Sequence, residues 1–193
     1  QRQMCIRDRI RETTEEMYRK ITENHELSEE EAKNTAKLIA LAALKYGDLS
    51  NQASKDYVFD LDRFTSFEGD TGPYILYTIV RIKSILNKYK EQGGSPDTAE
   101  LMDAVSASEK DLMMQLAGFK STMESAGAEL APHKICAYIY DLANAFNRFY
   151  HETRILAEED EKRKEGLIAL LVLTKEIMET CIDVLGFSAP DRM

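Results

Sequence analysis

Two sets of aromatic, cationic and amide side chains recur in this chain at helical spacing. Tyr74, Tyr77, Arg81, Ser84 and Lys88 follow one another by steps of three and four. At about 100° per residue they line one narrow strip of a helix. Phenol rings and guanidinium planes stack on unpaired bases, and cations hold phosphates. Asn147, Tyr150 and Arg154 repeat the spacing farther along. Asn reads base edges, Tyr stacks, and Arg does either or binds phosphate. Spacing alone leaves a second reading open for both strips, namely amphipathic tyrosines at the edge of a core beside solvated cations.

Other chemistries find no residues. The histidines are His25, His133 and His151, and none belongs to a Glu-x-x-His pair. His133 follows Pro132 in a first helical turn, a surface position. Glu158, Glu159, Asp160 and Glu161 read as a solvated acidic turn rather than a metal site. Gly69 and Gly72 do not have the spacing of a phosphate-binding loop. No nucleophile has an evident base, so the sequence assigns no catalytic, cofactor or metal residue. Cys5, Cys136 and Cys181 are odd in number and scattered, which fits neither a disulfide framework nor a zinc knuckle. Cys136 and Cys181 sit among apolar helical residues and are expected as buried thiols in a reducing, cytoplasmic setting. No apolar run reaches the roughly 18 residues of a membrane span, and the charged stretch 6–20 is unlike a signal peptide.

The elements that must carry the two strips are helices. The chain has 193 residues, 44% hydrophobic and 31% charged, with no Trp, 9 Gly and 4 Pro. Ordinary globular composition with few breakers favours an all-α bundle. A polar helix is expected over 10–24. Ser28 and Glu31 form a capping-box pattern opening a second helix, which Gly47 is expected to stop. Residues 48–71 are irregular, with Tyr57, Val58 and Phe59 a candidate extended stretch and Asp60, Asp62, Gly69 and Gly72 supplying turns. Pro73 is expected as the first residue of a helix to about Lys90, with 91–97 a linker. Ser106 and Glu109 predict a second capping box, with helices to about Ala117 and over 119–125, then a turn over 127–131. Pro132 starts a helix with the stripe Ile135, Tyr138, Ile139, Leu142, Phe146 and Phe149. The acidic run interrupts or re-caps it, and a last helix ends at Gly186. The net charge of −9 argues against a general polyanion binder but not against a local strip.

Several segments in order resemble one family. These are Tyr46-Gly47-Asp48-Leu49-Ser50, Asp56 to Asp60, Glu68-Gly69-Asp70-Thr71-Gly72-Pro73-Tyr74-Ile75-Leu76-Tyr77 with Arg81, and Ser84-Ile85. Glu109-Lys110, Leu112, Pro132-His133, Tyr138, Tyr140 to Ala143, Phe146-Asn147, Phe149-Tyr150, Leu185-Gly186-Phe187 and Ala189 to Met193 continue the set. Together they look like the C-terminal part of class I arginyl-tRNA synthetases, from about residue 10 onward. Asp70 stands where the family more usually has Asn. The resemblance implies the helical anticodon-binding fold over 73–193, a connecting region over 10–72, and an unmatched 1–9. It implies a partner in arginine-accepting tRNA, contacted by Tyr74, Tyr77, Arg81, Asn147, Tyr150, Arg154 and Met193. The family's two nucleotide-binding signatures are not in this chain. ATP, Mg and the catalytic domain are therefore expected only of the full-length enzyme, and this monomeric fragment is expected to be inactive alone. The alternative is a helical protein–protein module using the same tyrosines as anchors.

Overall fold

The computed structural model describes residues 6–24 and 27–193; Cys5 and His25 lie outside them. The helices are α1 (Ile6–Asn24), α2 (Glu29–Leu49), α3 (Leu61–Phe64), α4 (Gly72–Glu91), α5 (Ala107–Ala117), α6 (Phe119–Glu129), α7 (Pro132–Glu152) and α8 (Glu161–Val184), with one 3-10 turn at Pro96–Thr98. Among the described residues there is no strand, so the all-α expectation holds. The chain forms two compact units. One contains residues up to Val80 plus 182–193; the other is 81–181.

In the first unit α1 packs along α2. Helix α1 begins at Ile6, earlier than expected: Asp8 suits the positive end of the helix, and the Arg9 guanidinium lies 4.8 Å from the Phe59 ring centroid. The capping box at Ser28 and Glu31 is formed. Gly47 does not stop α2, which continues to Leu49. A Cβ at Gly47 would overlap the ring of Phe64, so glycine there admits an aromatic neighbour rather than a chain reversal. Residues 57–59 form no strand. Instead Asp60 caps the short α3 by accepting the Arg63 N–H at 3.1 Å. The rings of Tyr57 and Phe59 pack on Phe64, with centroids 6.0 and 4.9 Å apart.

The turn over 68–73 aims α4. Thr71 is its cap: Oγ1 accepts the Tyr74 N–H at 3.2 Å and donates to the Ser66 carbonyl at 2.6 Å. Gly72, not Pro73, is the first helical residue. The reason is contact: a Cβ on Gly72 would overlap the Ala42 carbonyl of α2. Asp70 accepts the Tyr46 hydroxyl at 2.5 Å, joining the same turn to α2. The end of α8 also belongs here. Gly186 adopts φ 83°, and the Phe187 N–H returns to the Ile182 carbonyl at 3.0 Å, closing the helix as expected. The Lys45 ammonium donates to the Gly186 carbonyl, and Arg192 pairs with Glu31 at 3.2 Å.

In the second unit α7 packs against α5 and α6. Its stripe is buried as expected, from Ile135 and Ile139 through Leu142, Phe146 and Phe149. Helix α6 runs past Ser125 to Glu129, and Leu130 at φ 49° ends it. The turn expected over 127–131 is therefore shorter. Gly127 is tolerated because its outward side is open, and Lys134 ties Ser125 to Glu129. Ser106 caps α5 by accepting the Glu109 N–H at 3.2 Å. The Glu109 carboxylate does not complete the box on Ser106. One oxygen accepts the Val105 N–H at 3.0 Å and the other takes the Arg163 guanidinium of α8. Glu109 is only 2% exposed. Burial works to raise its pKa, but Arg163, the Val105 N–H and Ser106 outweigh burial and hold it below the usual carboxylate value.

Three variants test this packing. Gly72→Ala is expected to destabilise the protein by about 1–3 kcal/mol, because the added methyl strikes backbone. Gly127→Ala is expected to stabilise it by about 0.5–1 kcal/mol, because the site is helical and open. Urea midpoints of both variants check the opposite signs. The depressed pKa of Glu109 means that its contribution is complete above the unfolded value. It fades as pH falls through the folded value. At neutral pH Glu109→Gln is expected to cost about 3 kcal/mol. The gap between the variant and the parent should close as urea unfolding is repeated at pH below about 4.

Candidate nucleic-acid interface

The stripe of α7 sets the rotation of that helix, and so decides what its shoulder carries. Phe146 and Phe149 are buried. Asn147 and Tyr150, each one residue farther on, fall at the edge of the buried face, half-buried and exposed respectively. Arg81 of α4 meets both. Its Nη1 donates to Asn147 Oδ1 at 2.7 Å, and its Cζ lies 5.2 Å from the Tyr150 ring centroid. The Tyr150 ring is stacked on Phe146, with centroids 6.0 Å apart and planes inclined by 24°. His151 meets it edge-on at 5.8 Å. A ring held by a cation and an aromatic neighbour loses little freedom on binding. Cation–π contact of this kind is worth about 0.5–2 kcal/mol. Tyr150 nevertheless remains 37% exposed. The corner offers a flat ring and an amide side by side, which suits an unpaired base more than a compact anion.

The strip reading of α4 changes in detail. The core face is buried as expected through Ile75, Ile79, Ile82, Leu86 and Tyr89. In the first unit Tyr74 is half-buried and Tyr77 is 41% exposed. Ser84 and Lys88 are exposed on the second half of α4. Arg81 is not a solvated strip cation; it is engaged by Asn147 and Tyr150. Arg154 does not share the helical strip of Asn147 and Tyr150, because α7 stops at Glu152 and Thr153 is extended at φ −121°, ψ 126°. A β-branched residue suits that exit. Arg154 is exposed in the connection that follows. Met193 is half-buried in the tail of the first unit, next to Arg192 with its bond to Glu31. The pairing of Arg81 with Asn147, 66 residues apart in sequence, carries no periodic signal.

The remaining chemistry-bearing groups have structural partners. The acidic run caps α8: Asp160 accepts the Arg163 N–H at 3.0 Å, and Glu158 accepts the N–H groups of Glu159 and Asp160. Cys136 and Cys181 are buried free thiols, as expected. Burial pushes the Cys181 thiol up to about 12. Burial, with Cys181 nearby, also raises the Tyr138 phenol, which donates to the Gln115 carbonyl at 3.0 Å. Among the described residues no three His, Cys, Asp or Glu side chains are grouped to hold a metal, and no helix is long and apolar enough to cross a membrane.

Residues 75–193 match the DALR anticodon binding domain family. The arginine–tRNA ligase of Agathobacter rectalis is 64% identical over 192 residues, which is 95% of this chain and 32% of that protein. The arginine–tRNA ligase of Alkaliphilus oremlandii is 46% identical over 190 residues, 98% of this chain and 32% of that protein. The chain thus spans about a third of the length of these curated relatives. The solved arginyl-tRNA synthetase of Thermus thermophilus aligns over 97% of this chain and 32% of its own, with a TM-score of 0.85 at 26% identity. That of Plasmodium falciparum covers 99% of this chain and 34% of its own, at 0.84 and 25%.

Inert thiols make a simple check on the interior. Alkylation of the native protein near neutral pH is expected to leave Cys136 and Cys181 unmodified. Both should react once urea unfolds the chain, as read by peptide mass.

Proposed function

The chain belongs to the DALR anticodon binding domain family, and from that premise we propose that it binds the anticodon stem-loop of arginine-accepting tRNA. The family match over 75–193 carries this reading. The curated relatives named above, both arginine–tRNA ligases, support the choice of arginine-accepting tRNA. The geometry supports it through two exposed phenol rings, Tyr77 and Tyr150, and an amide beside the second. Unpaired bases are recognised by such stacking with edge contacts. Tyr74, Arg154 and Met193 join the candidate contacts on the strength of the resemblance. In a longer parent protein the domain serves ATP-dependent arginylation of tRNA, with Mg. ATP and Mg would then act in a catalytic region whose signatures this chain does not contain. The setting proposed is a monomer in the cytoplasm.

The acidic charge of −9 shapes the mode of binding. A net negative charge disfavours RNA in general, so binding depends on places where stacking outweighs repulsion. Binding is therefore expected to be weak, salt-sensitive and dependent on particular rings. Tyr77→Ala and Tyr150→Ala are each expected to lower affinity for an arginine-anticodon stem-loop by about 1–3 kcal/mol. Fluorescence titration with that stem-loop and with one of unrelated anticodon checks both affinity and selectivity. Equal binding of the two RNAs, or none, would remove the tRNA reading. It would leave the helical protein–protein module, recognised by partners whose capture resists nuclease and salt.

A further inference from the structure

We propose that the stretch 100–105 is a strand-addition edge for an extended peptide of a partner protein, one whose side chains alternate between apolar and cationic. The inference does not rest on the anticodon-binding reading, and every residue it uses lies in the second unit.

Between the 3-10 turn and α5 the chain is extended at both ends, with Ala99 at φ −72°, ψ 134° and Ser106 at φ −112°, ψ 161°. Its side chains alternate as on a strand. Leu101, Asp103 and Val105 are exposed, while Met102, Ala104 and Ser106 are half-buried. Among the described residues, the backbone N–H and C=O groups of 100–104 take part in no hydrogen bond. A row of unpaired backbone groups is the template on which another strand pairs. The row is also held in place. Pro96 is buried at its start. Met102 sits against α8, where a Cβ on Gly166 would stand 2.8 Å from Met102 Cγ. At the far end the Val105 N–H donates to Glu109 at 3.0 Å, and Glu109 also takes the Arg163 guanidinium. A segment fixed at three points has less freedom to lose on binding.

Charge and shape define the partner. An open groove of about 700 Å³ borders the row and is lined by the apolar Leu101, Met102 and Val105. Leu101 is 53% exposed and Val105 79%. The groove also carries Glu100, Asp103, Glu165 and Lys162. None of these four charged side chains has an ion-pair partner among the described residues. Three acids against one base favour a cationic segment and repel a phosphate backbone. A second copy of the chain is disfavoured as well, because antiparallel self-pairing about Asp103 would set two carboxylates opposite each other. A strand with apolar side chains opposite Leu101 and Val105, and Lys or Arg opposite Asp103, meets both demands.

The test uses the 193-residue chain and a short fluorescent peptide of alternating valine and lysine. Three controls accompany it: a valine–glutamate peptide, the first peptide with every backbone N–H methylated, and oligouridylate. Anisotropy reads affinity, and hydrogen exchange by mass spectrometry reads which amides are protected. The free chain is expected to exchange the amides of 101–104 rapidly, and the valine–lysine peptide to slow them. N-methylation is expected to weaken binding roughly tenfold or more, because it removes the donors of the pairing. Leu101→Ser and Asp103→Lys, both at exposed positions, are each expected to weaken it by roughly fivefold. The proposal is overturned if the valine–lysine peptide does not bind, if the methylated or the acidic peptide binds as well, or if protection falls outside 100–105. Protection of 101–104 by oligouridylate, or by raising the concentration of the chain alone, overturns it too, since the occupant is then RNA or a second copy.

Discussion

Much of the second unit follows from the single apolar stripe of α7. A helix with one such stripe has one rotational setting in which the stripe is covered. Ile135, Ile139, Leu142, Phe146 and Phe149 are all buried at that setting, against a unit that includes α5 and α6. Everything else on α7 is then placed by subtraction. Asn147 and Tyr150 are one residue beyond two buried phenylalanines, and cannot move inward without expelling them. The candidate interface thus inherits its precision from hydrophobic packing, not from the few polar bonds that decorate it. Those bonds do a different job: they fix which end of the Asn147 amide meets Arg81, a choice that packing leaves free.

The helices themselves were legible because periodic burial and capping are local. Ser28, Ser106, Pro132 and Gly186 marked boundaries where the backbone needs those residue types. Glycine was the weak signal. Gly47 and Gly127 read as breaks, yet both lie inside helices. Gly47 makes room for Phe64, and Gly127 faces open space. Neither reason is written within the few residues that surround each glycine. Gly72 was read as turn chemistry and is instead the point of closest approach to the Ala42 carbonyl.

The candidate site was legible in composition and not in connection. Helical spacing picked out Tyr77, Arg81, Asn147 and Tyr150, but it grouped Arg81 with neighbours along α4. The structure joins it to α7. Arg154 was assigned to a strip by counting residues through a helix that ends before it. The Thr153 exit breaks the count, and a β-branched residue in an otherwise polar stretch was a faint warning of it. Glu109 shows the same limit. Its capping role was visible three residues from Ser106, whereas its bond to Arg163 spans 54 residues and depends on α8.

The first unit is interrupted in sequence: residues up to Val80 are completed by 182–193. The Lys45–Gly186 contact closes a separation of 141 residues, and the Arg192–Glu31 pair closes 161. During synthesis the ribosome releases α1 to α3 long before these partners exist. The stretch 81–181 is continuous in sequence and can fold as it emerges. The first unit must wait, with its α2 surface unfinished, until the last turn of α8 has been made. Vectorial synthesis and loop-closure entropy thus point the same way, making the beginning of this chain the last part to be secured.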